Sequence, residues 1–306
     1  DDARQFLEIR DQYRARFLER LRAVATQAEG YIPPGLDDPS AGYDWANASG
    51  GVYPFGVLDP HDPLVTATVR MVRQFKYREG IMTYGPNAWV LKQRARRNQP
   101  ADPGWLHHYE TFYVAETLLA RGEQERVLQD FYSILAHTGS THSGFEFTIR
   151  PWSDRDPQQN RPPHGWFAAR YNSLLRNMLL REEGQTLHLA SALSPAWLQP
   201  GQKVRVTSGA TLFGPVDWEM DVHESGATVR IQARLRVPPA GLRFHIPWFL
   251  ETTEARADGQ VIDVGEARKR GHAPFPAPGS GKTPPPAAKR EKYSPERGSK
   301  ILTRSI

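Results

Sequence analysis

Three carboxylates in this sequence sit beside aromatic residues in Gly- and Pro-rich surroundings. Asp44 lies between Tyr43 and Trp45, Glu146 between Phe145 and Phe147, and Asp154 close to Trp152. Five of the eight tryptophans fall between positions 45 and 166, so the pattern is concentrated in one part of the chain. Aromatic faces stack on the C–H faces of sugar rings, and two carboxylates in one cleft protonate a leaving oxygen and activate a water. The chemistry this predicts is carbohydrate recognition with acid/base cleavage, and the expected partner is a carbohydrate substrate. Tyr43, Trp45, Tyr84, Trp89, Trp152 and Trp166 are the candidate platform residues. Taken one at a time, each of these rings reads more readily, by about two to one, as a loop anchor or core residue; their repeated placement in loops is what points to function.

His107, His108 and His164 are candidate ligands for sugar hydroxyls. Adjacent helical side chains point about 100° apart and do not converge on one ion, so no metal is expected from the His107-His108 pair. His with Tyr84 and Asn87 also suits a polysaccharide lyase, which must neutralise a uronate and abstract its C5 proton. The absence of Cys excludes thiol catalysis, disulfide scaffolds and Cys-ligated metal sites. Gly279-Ser-Gly281-Lys282-Thr283 resembles the end of a phosphate loop, but the motif's first Gly is missing and no strand precedes it. No cofactor is expected.

The elements that must hold these residues are helical first. Phe6, Ile9, Tyr13, Phe17, Leu21 and Val24 recur at three- and four-residue spacings and predict an amphipathic helix over 4–28. A second helix is predicted over 62–78, with Asp62 as N-cap and Pro63 at the first helical position. Residues 105–120 and 123–136 read as an antiparallel pair joined at Arg121-Gly122, and 165–181 as a fifth helix. Between them run long aromatic loops, 30–60, 80–104 and 138–163. After Gly184 the period changes to two, at Leu187 and Leu189, Val204 and Val206, and Val229 to Val237, which predicts an antiparallel β-sandwich. The expected fold is thus multidomain, α then β: a helical domain at 1–183, a sandwich at 184–265 and a tail at 266–306.

Five segments resemble the C-terminal half of the six-hairpin, (α/α)6-toroid glycosidases. They are Trp105-Leu-His-His-Tyr-Glu-Thr, Gly122-Glu, Gly139-Ser-Thr-His-Ser-Gly-Phe-Glu146, His164-Gly-Trp166-Phe-Ala-Ala-Arg-Tyr-Asn172, and the run from Leu187 to Gly201. Alpha-L-rhamnosidase-like members look nearest, although their acidic general-acid signature is absent. The resemblance covers roughly residues 1–255 and implies a partial toroid running into a C-terminal β-sandwich. It further implies that Glu146 matches the catalytic base, with Asp44 as second carboxylate or substrate ligand, in an inverting reaction. A complete toroid has twelve helices against the five predicted here, so further N-terminal hairpins are expected partners of this segment. A periplasmic or extracellular setting is what the resemblance favours. The alternatives are a toroid-plus-sandwich lyase and a non-catalytic carbohydrate binder.

The whole chain has 306 residues and a formal charge of +5. Residues 266–306 hold ten Lys or Arg against three Glu, a balance of +7, which leaves −2 for residues 1–265. That last segment has seven prolines and almost no large apolar residues, so it reads as a disordered tail. Its aromatics are only Phe275 and Tyr293, too few to stack on bases, so nucleic acid is not an expected partner. The abrupt change of chemistry after Val264 suggests an ending foreign to the sandwich. No run of about 18 apolar residues occurs, and no membrane partner is expected.

Overall fold

The structure is a computed structural model. It describes residues 2–44, 47, 51–150, 162–250 and 254, and the backbone of 255–257, 260–262, 273–275 and 301–305. Trp45, Trp152 and Asp154 lie outside the described residues. The chain divides into two compact units, Asp1–Leu174 and Leu175–Ile306. The division falls inside a helix, nine residues before Gly184.

The first unit holds α1 (Asp2–Gln27), α2 (Pro63–Lys76), β1 (Tyr77–Arg78), β2 (Ile81–Tyr84), α3 (Ala88–Arg96), β3 (Trp105–His107), α4 (His108–Ala120), α5 (Gln124–Ala136) and β4 (Thr148–Ile149), and α6 (Gly165–Leu179) begins in it. Local signals explain the helix ends. Asp62 caps α2 by accepting from the Leu64 amide at 2.8 Å, with Pro63 at the first helical position. Gly122, at φ +72°, turns the chain out of α4, and Arg121 fastens the α4–α5 corner to the Pro60 carbonyl at 2.6 Å. Arg73 of α2 grips buried Asp130 of α5 at 2.9 and 3.1 Å, and Tyr77 donates to the same carboxylate at 3.1 Å.

Two differences from the sequence reading bear on the site. Residues 80–104 are not irregular: they contain β2 and α3, the latter capped by Asn87, which accepts from the Val90 amide at 3.0 Å. Trp105–His107 is a strand rather than the first turn of α4, and β1, β2, β3 and β4 pair in that order as an antiparallel sheet. These strands are two to four residues long, too short to show a period of two. Ile81, Leu106 and Ile149 form their core.

Helix α1 buries only Leu21, Val24 and Ala25. Phe6 and Tyr13, each about 70% exposed (70% and 73%), continue its apolar stripe into solvent among the described residues. Beside the stripe runs a groove of about 1030 Å³, walled by Pro34, Leu36, Phe55 and Val57.

The second unit contains β5 (Leu180–Glu183), β6 (Thr186–Leu189), β7 (Lys203–Gly209), β8 (Val216–His223), β9 (Gly226–Ala233), β10 (Gly241–Phe244), β11 (Ala255–Ala257), β12 (Gln260–Ile262), β13 (Ala273–Phe275) and β14 (Ile301–Ser305). One sheet has the order β14-β9-β8-β7 and is antiparallel; the other has the order β13-β10-β6-β5, with β10 parallel to β6. Leu187, Leu189, Leu242 and Phe244 of one sheet and Trp218, Met220, Val229 and Ile231 of the other share a single core. Helices followed by sheets is therefore the observed order, mixed α and β, with one parallel pair where antiparallel pairing throughout was expected. Parallel pairing arises because the chain between β6 and β10 crosses through the other sheet.

The tail reading meets two exceptions. Residues 273–275 pair with β10 and 301–305 with β9. The Ile301-Leu-Thr run is β-prone, and its backbone meets a sheet edge that would otherwise stay open. These pairings also count against an ending foreign to the sandwich.

Candidate functional site

Short strands and helix starts place the aromatic candidates in one continuous row. Tyr43 packs on Tyr84 at the end of β2, ring centroids 4.6 Å apart. Tyr84 leads to His107 at 5.5 Å and to Phe147 at 5.1 Å, and His107 leads to Tyr109 at 5.7 Å. Tyr109 meets Trp166, at the start of α6, edge-on at 4.6 Å. Of the residues singled out from the sequence, Tyr43, Tyr84, His107, His164, Trp166 and Glu146 are brought together, because β2, β3 and the starts of α4 and α6 converge. Tyr43 and Trp166 are each about half exposed, so the row ends in solvent-facing platforms.

Glu146 stands at one end of this row. Its Oε1 lies 3.9 Å from His164 Nε2, and His164 Nδ1 lies 3.4 Å from the Tyr109 hydroxyl, so Tyr109, His164 and Glu146 form a chain of polar groups. Two backbone contacts fix it. The His164 amide donates to the Gly144 carbonyl at 3.2 Å, and the Gly139 amide to the Ser143 carbonyl at 2.8 Å. A Cβ on Gly144 would lie 1.9 Å from the Phe167 ring, so only glycine lets this loop lie flat on α6. The Tyr109 hydroxyl is held well above its ordinary pKa, by burial first and then by the Glu146 charge.

Asp44 is placed differently from the sequence expectation. It is fully buried, accepts from the Tyr31 hydroxyl, from Asn47 Nδ2 at 2.7 Å and, through its other oxygen, from the Ala88 amide at 2.7 Å. Both carboxylate oxygens are therefore engaged, one with Tyr31 and Asn47 and the other with the start of α3, and solvent does not reach them. The reason is local: Asp before an aromatic in a turn binds backbone and side-chain donors more readily than it projects into a cleft. His108 is also buried, against Phe145 at 6.1 Å and Phe167 at 5.2 Å, and so forms part of the floor beneath the Glu146 loop. Trp89 sits on α3 with Lys92 5.9 Å from its ring centre and makes no ring contact with the row.

Beneath the row lies a buried ionisable cluster that the sequence reading missed. Lys76, wholly buried at the end of α2, donates to the carbonyls of Pro86 at 2.9 Å and Gly85 at 3.3 Å. Burial lowers its pKa, against the pull of Glu110 and Asp44. Glu110, in the first turn of α4, is wholly buried, and neither of its carboxyl oxygens has a hydrogen-bond partner among the described residues. Burial raises its pKa far above the carboxylate range, with Lys76 opposing. His107 and His108 are both pushed down to about 3, mainly by burial, with Lys76 acting on His107 and His107 on His108. Tyr113 and Arg170 were missed as well. The available signal was helical spacing: Tyr109 and Tyr113, and Trp166 and Arg170, are each four apart on predicted helices. No group of three or more His, Asp or Glu residues suited to a metal occurs among the described residues. No helix among them is long and apolar enough to cross a membrane.

No protein-family model matches the chain, and no curated protein does. Among solved structures, the chain is similar to a GH127 beta-L-arabinofuranosidase from Geobacillus stearothermophilus T6, at 13% identity and a TM-score of 0.39. The match takes in 75% of this chain and 38% of that one, so this chain spans well under half of its neighbour's length.

Proposed function

We propose that the first unit carries the substrate site of a glycoside hydrolase. The observation that supports this best is the row of rings from Tyr43 to Trp166 ending at the Glu146–His164 pair. In this reading sugar rings lie on Trp166 and Tyr43, and Glu146 takes a proton from water as the water oxygen bonds to the anomeric carbon. The leaving oxygen takes its proton from a separate acid, which we place outside the described residues. His164 holds the Glu146 side chain, and Tyr109 fixes the His164 ring through Nδ1. Asp44 serves as the fastening of the platform loop. The uncovered stripe of α1 fits further helical hairpins packing there, as a partial toroid requires.

The test is an assay of the chain against neutral and acidic oligosaccharides, with Glu146→Gln and Trp166→Ala. Glu146→Gln is expected to abolish hydrolysis while leaving binding within about twofold. Trp166→Ala is expected to weaken binding about tenfold, the loss of one stacking platform. Hydrolysis undiminished in Glu146→Gln overturns the assignment.

A second reading is favoured by one contact, the Tyr109 hydroxyl against His164 Nδ1. In a lyase, one of these groups removes the C5 proton of a uronate and the other protonates the leaving oxygen as a C4–C5 double bond forms. Appearance of an ultraviolet-absorbing unsaturated uronide, with no water consumed, would select it over hydrolysis.

A further inference from the structure

Resting on the reading of the first unit as a carbohydrate site, we propose that its ligand is an acidic oligosaccharide, and that Arg170 recognises the uronate carboxylate. Helices α4 and α6 face each other in two matched rungs, each spanning one helical turn. Trp166 meets Tyr109 at 4.6 Å, and four residues on, the Arg170 guanidinium lies over the Tyr113 ring, 4.2 Å from its centre. This cation–π contact holds the guanidinium without using any of its five N–H groups. Among the described residues Arg170 makes no hydrogen bond or ion pair, and its Nη2 is shut from solvent with no acceptor. A guanidinium held against a ring, stripped of part of its hydration and left without a carboxylate among the described residues is an unfilled anion site.

The neighbours set what anion fits. Trp166, half exposed and one turn away, offers the stacking face for a sugar ring, while His164, with Glu146 beside it, also packs against Tyr109. A free phosphate or chloride would satisfy the charge and ignore the ring. A hexuronate satisfies both, with its ring on Trp166 and its carboxylate accepting from the guanidinium N–H groups that solvent reaches. Glu146 lies with its Oε1 3.9 Å from His164 and makes no ion pair with Arg170 among the described residues.

The experiment compares binding of oligogalacturonate and oligomannuronate with that of their carboxyl-reduced, neutral counterparts, by calorimetry on the whole chain. Wild type is expected to prefer at least one acidic form by about ten- to a hundredfold. Arg170→Gln should bring the acidic form down to the affinity of its neutral counterpart and leave the neutral form unchanged. Arg170→Lys, which keeps the charge and loses the fork, should recover only part of the preference, and it guards against a folding defect in the Gln variant. Equal affinity for acidic and neutral forms overturns the uronate proposal while the carbohydrate site stands. Binding of neither form, with Trp166→Ala silent, overturns both. A preference for free phosphate over the oligouronides overturns the proposal in favour of a simple anion site.

Discussion

Glu110 and His108 show how much stability the first unit gives up at single residues beneath its candidate site. A buried imidazole with a folded pKa of about 3 binds fewer protons than the same group in the unfolded chain, where the ordinary value is about 6.5. Its contribution is therefore present above about pH 6.5 and is lost as the pH falls toward 3. By pH 5 the loss is about 2 kcal/mol for one histidine. Glu110 has the opposite sign: its folded pKa is raised, so its contribution is present below the ordinary carboxylate value and is lost as the pH rises. Urea denaturation at pH 7 and pH 5 separates the two. Between those values wild type should lose about 2 kcal/mol relative to His108→Phe, whose ring keeps the contacts with Phe145 and Phe167. Glu110→Gln should gain on wild type as the pH rises from about 4.5 to neutrality, since an amide has no proton to lose. A gap between wild type and His108→Phe that stays constant with pH would mean that the imidazole takes up its proton as readily in the folded state as in the unfolded chain.

Elements decide which of these residues meet, and this was only partly legible beforehand. Long helices declared themselves: Asp62-Pro63 and Gly122 mark ends that the structure reproduces, because caps are local chemistry. Strand β8 was equally readable, with Val216, Trp218 and Met220 alternating, but went unread beside the more regular β9. The four short strands of the first unit left no periodic trace, and they are what carry Tyr84 and His107 to the aromatic row. Gly144 is the sharpest case, since a glycine in a glycine-rich loop looks unremarkable until Phe167 is found against it. Gly144→Ala should cost about 1–3 kcal/mol by overpacking and move the loop that carries Glu146. Phe167→Leu in the same chain should return part of that loss, the signature of two residues in direct contact. Thermal melts of the two single variants and the double variant measure it; strict additivity would show that the loop does not press on Phe167.

At the scale of the molecule, each unit has a core of its own, as independently folding domains do. Charge divides along the chain too, −2 over residues 1–265 and +7 beyond, so an acidic ligand gains nothing from the average field of residues 1–265. Recognition of an anion must then come from a placed group, which is why one guanidinium without a partner among the described residues, on the α4–α6 face, weighs more than the overall +5. The second unit concentrates its core on Trp218, which is 1% exposed between Phe244 on one side and Met220 and Ile231 on its own sheet. Trp218→Ala should cost about 3–5 kcal/mol, enough to unfold a marginal domain. If the two units fold independently, this variant loses the sheet signal in circular dichroism while oligosaccharide binding, which depends on Tyr43, Tyr109 and Trp166, survives within about threefold. Loss of binding together with the sheet would show that the first unit holds its aromatic row only when the second is folded, and the site would then belong to the whole chain.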